Sequence, residues 1–302
     1  METIAKRIIA KIKLVFLSLL GRKSYKWVVS DWVRLKDLEH ASRLLTTKRF
    51  SRNLKSLVVN PRWRRKRVLV IAAHPDDEMV GSGGTLLLAA RSGAELTCIY
   101  LTHGGGVLND GTPDARGRQR KEEAAEVWSA IGGKVVHFDF ADRGIPLTDA
   151  AAGRLADLVN TTKPRILFLP FLLDDHDDHR RANHLLLMAA GSIQVRKIEV
   201  WAYPVWSLVI PNVAVDITSV VDEKDRLNSV WKSQNADRDY VHLARGTSVF
   251  NTRFVTGKPI PKYAEVFFAA PLTEYLDLCS SYFSAPAEKL YYDLNGRQRP
   301  RQ

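Results

Sequence analysis

The sequence predicts a doubly wound α/β fold: a largely parallel sheet with helices on both faces. Three observations predict it. From about residue 66, short β-branched apolar runs alternate with helix-length segments. Several of those segments close on glycine, the usual residue after a helix end. Four polar clusters, HPDDE, HGGG, DFADRG and DDHDDH, each follow an apolar run. That places all four at carboxyl ends of strands, the rim where such folds collect their sites.

The elements follow in order. RVLVIAA is a buried strand, and GSGGTLLLAARSG a helix closed by Gly93. ELTCIYLTHGGG is a second strand, EEAAEVWSAIGG a second glycine-closed helix and KVVHFDF a third strand. Next come a helix over AAGRLADLVN, a strand in RILFLPF, a helix in HRRANHLLLMAA and a strand in IEVWAYPV. This β-α-β-α order implies a Rossmann-like parallel arrangement. DITSVVDEKDRLNSVWKSQ reads as a strand end and a helix, and KYAEVFFAA as a last strand. Residues 275–302 show no pattern. The expected organisation is an N-terminal helical extension over 1–60, a core domain over 61–272 and a basic tail over 273–302.

Composition bounds the function. The chain has 302 residues, 45% of them hydrophobic, and a formal net charge of +12. It contains no apolar run long enough to cross a bilayer. Two distant cysteines, Cys98 and Cys279, provide neither a disulfide framework nor a cysteine zinc site. They point to a reducing compartment, hence a cytoplasmic protein. Residues 1–21 place Ile4, Ile8, Ile12, Val15 and Leu19 on one helical face and Lys6, Arg7, Lys11 and Lys13 on the other. That pattern suits peripheral contact with the cytoplasmic face of a membrane, and equally a helix docked on the domain. RWRRKR at 62–67 adds a basic block that fits a polyanion or a solvated surface. Trp27, Trp32 and Trp63 are interface or packing residues. No RNA-binding aromatic motif, helix-turn-helix or zinc finger occurs, so no specific nucleic-acid partner is expected.

IAAHPDDEMVGSGG, residues 71–84, raises the chemical question. Asp76, Asp77 and Glu78 stand side by side, and like charges this close repel. A divalent cation would relieve the repulsion. His74 and Asp77, three apart on a loop, can meet one cation, and imidazole with carboxylate suits Zn²⁺. Asp76 is then free to take a proton from water. In DDHDDHRRAN, His176 and His179 are also three apart. One of them can complete a His-Asp-His site and the other can serve a developing oxyanion, while Asp178 can orient a histidine. Gly81, Gly83 and Gly84 serve close packing of helix on sheet better than a phosphate cradle, because no Lys-Ser/Thr follows. His137 and His184 read as structural. A dinucleotide site would need GxGxxG where HPDDE stands.

Strand-AHPDDE-x-x-x-G-x-GG, the R-x-x-E at Arg120 and Glu123, D-x-H-x-D-H-R, the SQ at Ser233 and Gln234, and YAEVF at 263–267 together resemble the PIG-L/LmbE-like family. The resemblance covers roughly 66–270. It implies a zinc-dependent de-N-acetylase, with another divalent metal such as Fe²⁺ as the variant. The implied substrate is an N-acetylated amino sugar, glycolipid or lipid-linked glycan precursor. Carried over by motif position, it implies His74, Asp77 and His179 as metal ligands, Asp76 as general base and His176 as the residue beside the carbonyl. Arg120, and less directly Asp142, would contact the sugar. Two departures bear on the pocket: THGGG brings His103 to the rim as a further candidate substrate contact, and Asp177 stands where proline is usual. The alternative from a different class is a non-catalytic protein that uses its basic surface for polyanionic glycan or nucleic acid.

Overall fold

A computed structural model describes residues 43–48, 57–58, 60–61, 63–105, 114–236, 238–255 and 259–284. The amphipathic stretch 1–21, Trp27, Trp32 and the end of the chain lie outside them. Among the described residues no helix is long and apolar enough to cross a membrane.

The described strands are β1 (Leu57–Val58), β2 (Arg67–Ala72), β3 (Glu95–Thr102), β4 (Lys134–Phe140), β5 (Ile166–Pro170), β6 (Glu199–Tyr203), β7 (Val213–Asp216) and β8 (Ala264–Pro271). The helices are α1 (Asp77–Arg91), α2 (Ala115–Ala130), α3 (Asp149–Thr162), α4 (Asp177–Ala189), α5 (Val221–Asn228), α6 (Lys232–Asn235), α7 (Tyr240–Asn251) and α8 (Leu272–Phe283). Seven strands of four or more residues, with the two-residue β1 at one edge, make a single mixed sheet in the order β1-β7-β8-β6-β5-β2-β3-β4. β2 to β6 run parallel, and β8 is antiparallel to both β6 and β7.

Side chains alternate across a strand, so each strand feeds two cores. Leu69 and Ile71 join one core with α3 and α4 residues such as Leu155 and Leu186. Val68, Val70 and Ala72 join the other with Leu86 of α1 and Trp128 of α2. Burial on both faces is why β2 reads as an unbroken apolar run. Trp63 packs edge-on against Trp201 at 4.9 Å, which settles it as a packing residue. Gly81 and Gly84 have no room for a side chain. A Cβ at Gly81 would lie 2.5 Å from Tyr203 Cδ2, and one at Gly84 would lie 2.8 Å from Ile217. The helix-on-sheet reading of these glycines therefore holds.

The ends of the chain differ from expectation. The stretch from 275, patternless in sequence, continues as α8 and buries Tyr275, Cys279 and Tyr282 in the core. Its register was hidden because its polar face carries Ser and Thr as well as charges. The segment before 61 is not wholly separate either. Leu44 is buried in the core, the Lys48 backbone N–H donates to Glu274 Oε1 at 2.7 Å, and β1 pairs with β7.

The chain runs β2, β3, β4 outward, then returns to place β5 on the other side of β2. The point between β2 and β5 is therefore a topological switch point, where the two connections diverge and leave a crevice beyond the strand ends. HPDDE leaves β2 there and DDHDDH leaves β5.

Candidate active site

Both motifs open helices. α1 begins at Asp77 and α4 at Asp177, earlier than the apolar periodicity suggests, because acidic residues fill their first turns. Two helix N-termini thus aim at the crevice, and their positive ends offset part of the acidic crowding. Asp76 precedes α1 with φ 126°, in the left-handed region that residues with a Cβ avoid. Its side chain makes no helix cap. It points instead to Arg120, whose guanidinium lies 3.0 Å away. Arg120 is itself buried, donates to Gly104 O at 2.7 Å and also donates to Pro75 O. Gly104 has φ +65°, and a Cβ there would sit 2.4 Å from the guanidinium. Gly104 of THGGG therefore makes room for Arg120.

The three expected ligands converge. Asp77 Oδ2 lies 3.3 Å from His74 Nδ1 and 3.2 Å from His179 Nε2. His74, His176 and His179 present ring nitrogens within 4.8 Å of one another. The pairing of the remaining carboxylates is new. Asp178 accepts from His74 Nε2 at 3.1 Å, so it does orient a histidine, but the one from the other motif. Asp178 also accepts the Arg143 backbone N–H at 2.6 Å. Asp142 Oδ1 lies 2.9 Å from the same His74 nitrogen. His179 is oriented by Asp174, whose Oδ1 lies 2.8 Å from Nδ1. Asp174 belongs to the acidic motif but was not singled out, since four aspartates in six residues give no sign of which faces inward. Its Oδ2 accepts the backbone N–H groups of Val205, Trp206 and Ser207 at 3.2, 3.0 and 3.3 Å.

Electrostatics follow from burial against charge. Burial disfavours charge on His74 and His179, but the surrounding carboxylates outweigh it. His74 stays well above the usual imidazole range and His179 rises to about 10. Burial likewise opposes ionisation of Asp77, yet His179 and His74 hold it well below the usual carboxylate range. Asp76 moves the other way, to about 6, because burial outweighs the Arg120 charge. Burial, then the charges on His74 and His179, hold His176 down to about 3. Burial would raise Asp142, but its bond to His74 keeps it low.

This donor set fits a cation. His179 Nε2 is buried without a hydrogen-bond partner, and Asp178 Oδ1 is in the same condition. Two imidazoles and a carboxylate are borderline-soft ligands of the kind zinc takes. The field that keeps protons on His74 and His179 would equally hold a divalent ion in their place.

The cleft above is open and holds about 520 Å³ of space, bulk solvent included. His74, Asp76, Asp77, His176, Arg120 and Asp142 all line it. Gln234, Trp206 and Tyr240 complete the wall. The Ser-Gln echo has a structural basis. Glu123 accepts the Ser233 N–H at 2.9 Å and its hydroxyl at 2.6 Å, and so turns Gln234 to the cleft. His103 is buried with Nδ1 accepting from Gly105 N at 3.3 Å, and it is not among the residues lining the cleft. His137 stacks on Tyr100 and His184 on Phe283, both structural.

A doubly wound sheet with an imidazole–carboxylate cluster at its switch point defines the class: an α/β fold with a candidate His/Asp metal site. Within that class, the comparisons place the chain. Residues 69–190 match the family described as PIG-L: GlcNAc-PI de-N-acetylase. It is 28% identical over 187 residues to a diacetylchitobiose deacetylase of Thermococcus kodakarensis, covering 56% of this chain and 70% of that one. It is 30% identical over 155 residues to a 1D-myo-inositol 2-acetamido-2-deoxy-alpha-D-glucopyranoside deacetylase of Saccharopolyspora erythraea. That match covers 41% of this chain and 56% of the relative, so this chain spans just over half of it. Among solved structures, the N,N'-diacetylchitobiose deacetylase of Pyrococcus horikoshii shares the fold with TM-score 0.60 and 22% identity, over 78% of this chain and 94% of that one. A conserved protein of Thermus thermophilus superposes with TM-score 0.57 and 26% identity, over 67% of this chain and 93% of that one.

Proposed function

We propose that this chain removes the N-acetyl group from an amino sugar of the N-acetylglucosamine type, with a zinc ion or similar divalent cation held by His74, Asp77 and His179. The observation that carries the reading is the convergence of these three side chains at the switch point, with Asp76 beside them and free of any capping bond. The deacetylase names of the relatives support the substrate class.

A bound divalent cation supplies Lewis acidity, acidifying water and polarising a carbonyl. The residues do the rest. Asp76, held toward the cleft by Arg120, accepts the proton as water adds to the acetamide carbon. When the tetrahedral adduct collapses the C–N bond breaks, and a proton from Asp76 or His176 goes to the departing amine, leaving acetate and the free amino sugar. Nδ1 of His176 accepts the Asp178 backbone N–H at 3.2 Å, which leaves the neutral ring's proton on Nε2. That N–H is the donor for the developing oxyanion. Asp178 and Asp174 hold the tautomers of His74 and His179.

The experiment is metal per purified chain by elemental analysis, with His74→Ala and His179→Ala alongside, followed by acetate release from N-acetylated glycans. About one zinc per chain, absent from both variants, with acetate released, supports the reading. No metal after zinc is offered, or metal with no acetate from any N-acetylated sugar, overturns it.

A further inference from the structure

Four large apolar side chains stand exposed among the described residues: Leu45, Trp206, Val249 and Ile260. Of these, only Trp206 lines the cleft. The residue is 38% exposed, yet its position is not loose. The backbone N–H groups of Val205, Trp206 and Ser207 all converge on Asp174 Oδ2. The other oxygen of that carboxylate orients His179. The loop bearing Trp206 is thus tied to a side chain of the candidate metal site. Tyr240, also in the cleft wall, meets the Trp206 ring edge-on at 6.0 Å and 77°. The Arg238 guanidinium lies 5.4 Å from the same ring.

We infer that Trp206 and Tyr240 form a sugar-stacking subsite for the pyranose ring that adjoins the N-acetylated one. This rests on the de-N-acetylase reading for the placement of the acetamide. The chemistry divides the cleft in two. Its floor is charged and takes the amide. Its wall is a rigid aromatic surface flanked by a phenol, a guanidinium and the Gln234 amide. A pyranose matches such a wall. Its ring C–H face is apolar and weakly positive, so it lies against the negative face of an indole, while its equatorial hydroxyls reach outward to hydrogen-bonding groups. A simple alkyl chain would cover the indole but leave those polar groups without partners. Because Asp174 holds both the His179 ring and the Trp206 backbone, the spacing between reacting centre and subsite is set before substrate arrives, which limits the ordering cost of binding.

The test compares the wild type with Trp206→Ala and Trp206→Phe. Replacing an exposed ring leaves the three bonds to Asp174 intact, since they use backbone N–H groups. Binding of N-acetylglucosamine, N,N'-diacetylchitobiose and hexyl N-acetylglucosaminide is measured by calorimetry, and acetate release by KM and kcat. Trp206→Ala is expected to weaken disaccharide binding and raise its KM by on the order of tenfold or more. It should leave the monosaccharide within about twofold, and Trp206→Phe should recover much of the loss. Equal effects on monosaccharide and disaccharide, no effect on either, or an equal loss for the hexyl glycoside would overturn the subsite. Trp206-dependent binding of the disaccharide without acetate release would uphold the subsite and sink the reaction instead.

Discussion

Asp174→Asn isolates the contribution of one carboxylate to the whole site. The carboxylate accepts from two directions. Oδ1 takes His179 Nδ1 at 2.8 Å and the His176 N–H at 3.2 Å, and Oδ2 takes the N–H groups of 205, 206 and 207. Every one of these partners is a donor when His179 holds its cation-ready tautomer. Asparagine retains shape but offers one acceptor oxygen, and its other arm is a donor. Whichever way the amide turns, donors face donors on one side. If the amide group faces His179, the ring loses its orienting acceptor. Loss of such a partner typically costs about 10–100-fold in metal affinity. If it faces the loop, buried N–H groups lose a charged acceptor, worth about 1.5–3 kcal/mol. The expected result is a 10–100-fold weaker affinity in zinc competition against a chelator, together with about 2 kcal/mol lower stability of the metal-free protein in urea. Affinity within twofold of wild type and unchanged urea stability would refute the assignment of Asp174 to both jobs.

His179→Ala is expected to lose the metal, while His176→Ala keeps it and loses about 10²–10³ in turnover, as for removal of an oxyanion donor; equal metal loss in the two would contradict the division. Glu265→Ala removes an acceptor of Lys224 Nζ, Gly84 N, and Thr85 N and Oγ1, leaving the buried ammonium with the Val80 carbonyl but no counter-charge. Urea unfolding should show a loss of about 3–5 kcal/mol, and adding Lys224→Met should recover part of it. Gly81→Ala places a methyl 2.5 Å from Tyr203 Cδ2 and 2.6 Å from Pro204 O, and should cost about 1–3 kcal/mol by overpacking. A neutral effect would mean that α1 lifts freely from the sheet.

The sequence by itself determined the alternation of strands and helices, since burial on both faces demands continuous apolar runs such as RVLVIA in β2. It also placed four polar clusters after apolar runs and joined His74 and Asp77 to one of His176 and His179, because charge placed directly after a buried strand needs a compensating partner; only the family resemblance chose His179. Local sequence carried far less about the ends of the chain, where a two-residue strand and a Ser-rich helix have weak periodicity. Only the tertiary structure decided which carboxylate serves which histidine. Asp178 and His74 are 104 residues apart, and they meet because β5 returns to lie beside β2. Aspartates within DDHDD are chemically equivalent along the chain, and only the turn of α4's first residues sends Asp174 to His179 and Asp178 across the crevice. Trp206 and Gln234 reach the cleft for the same reason. Their backbone is drawn in by Asp174 and Glu123, partners at separations of 32 and about 110 residues, and no local pattern encodes such pairings.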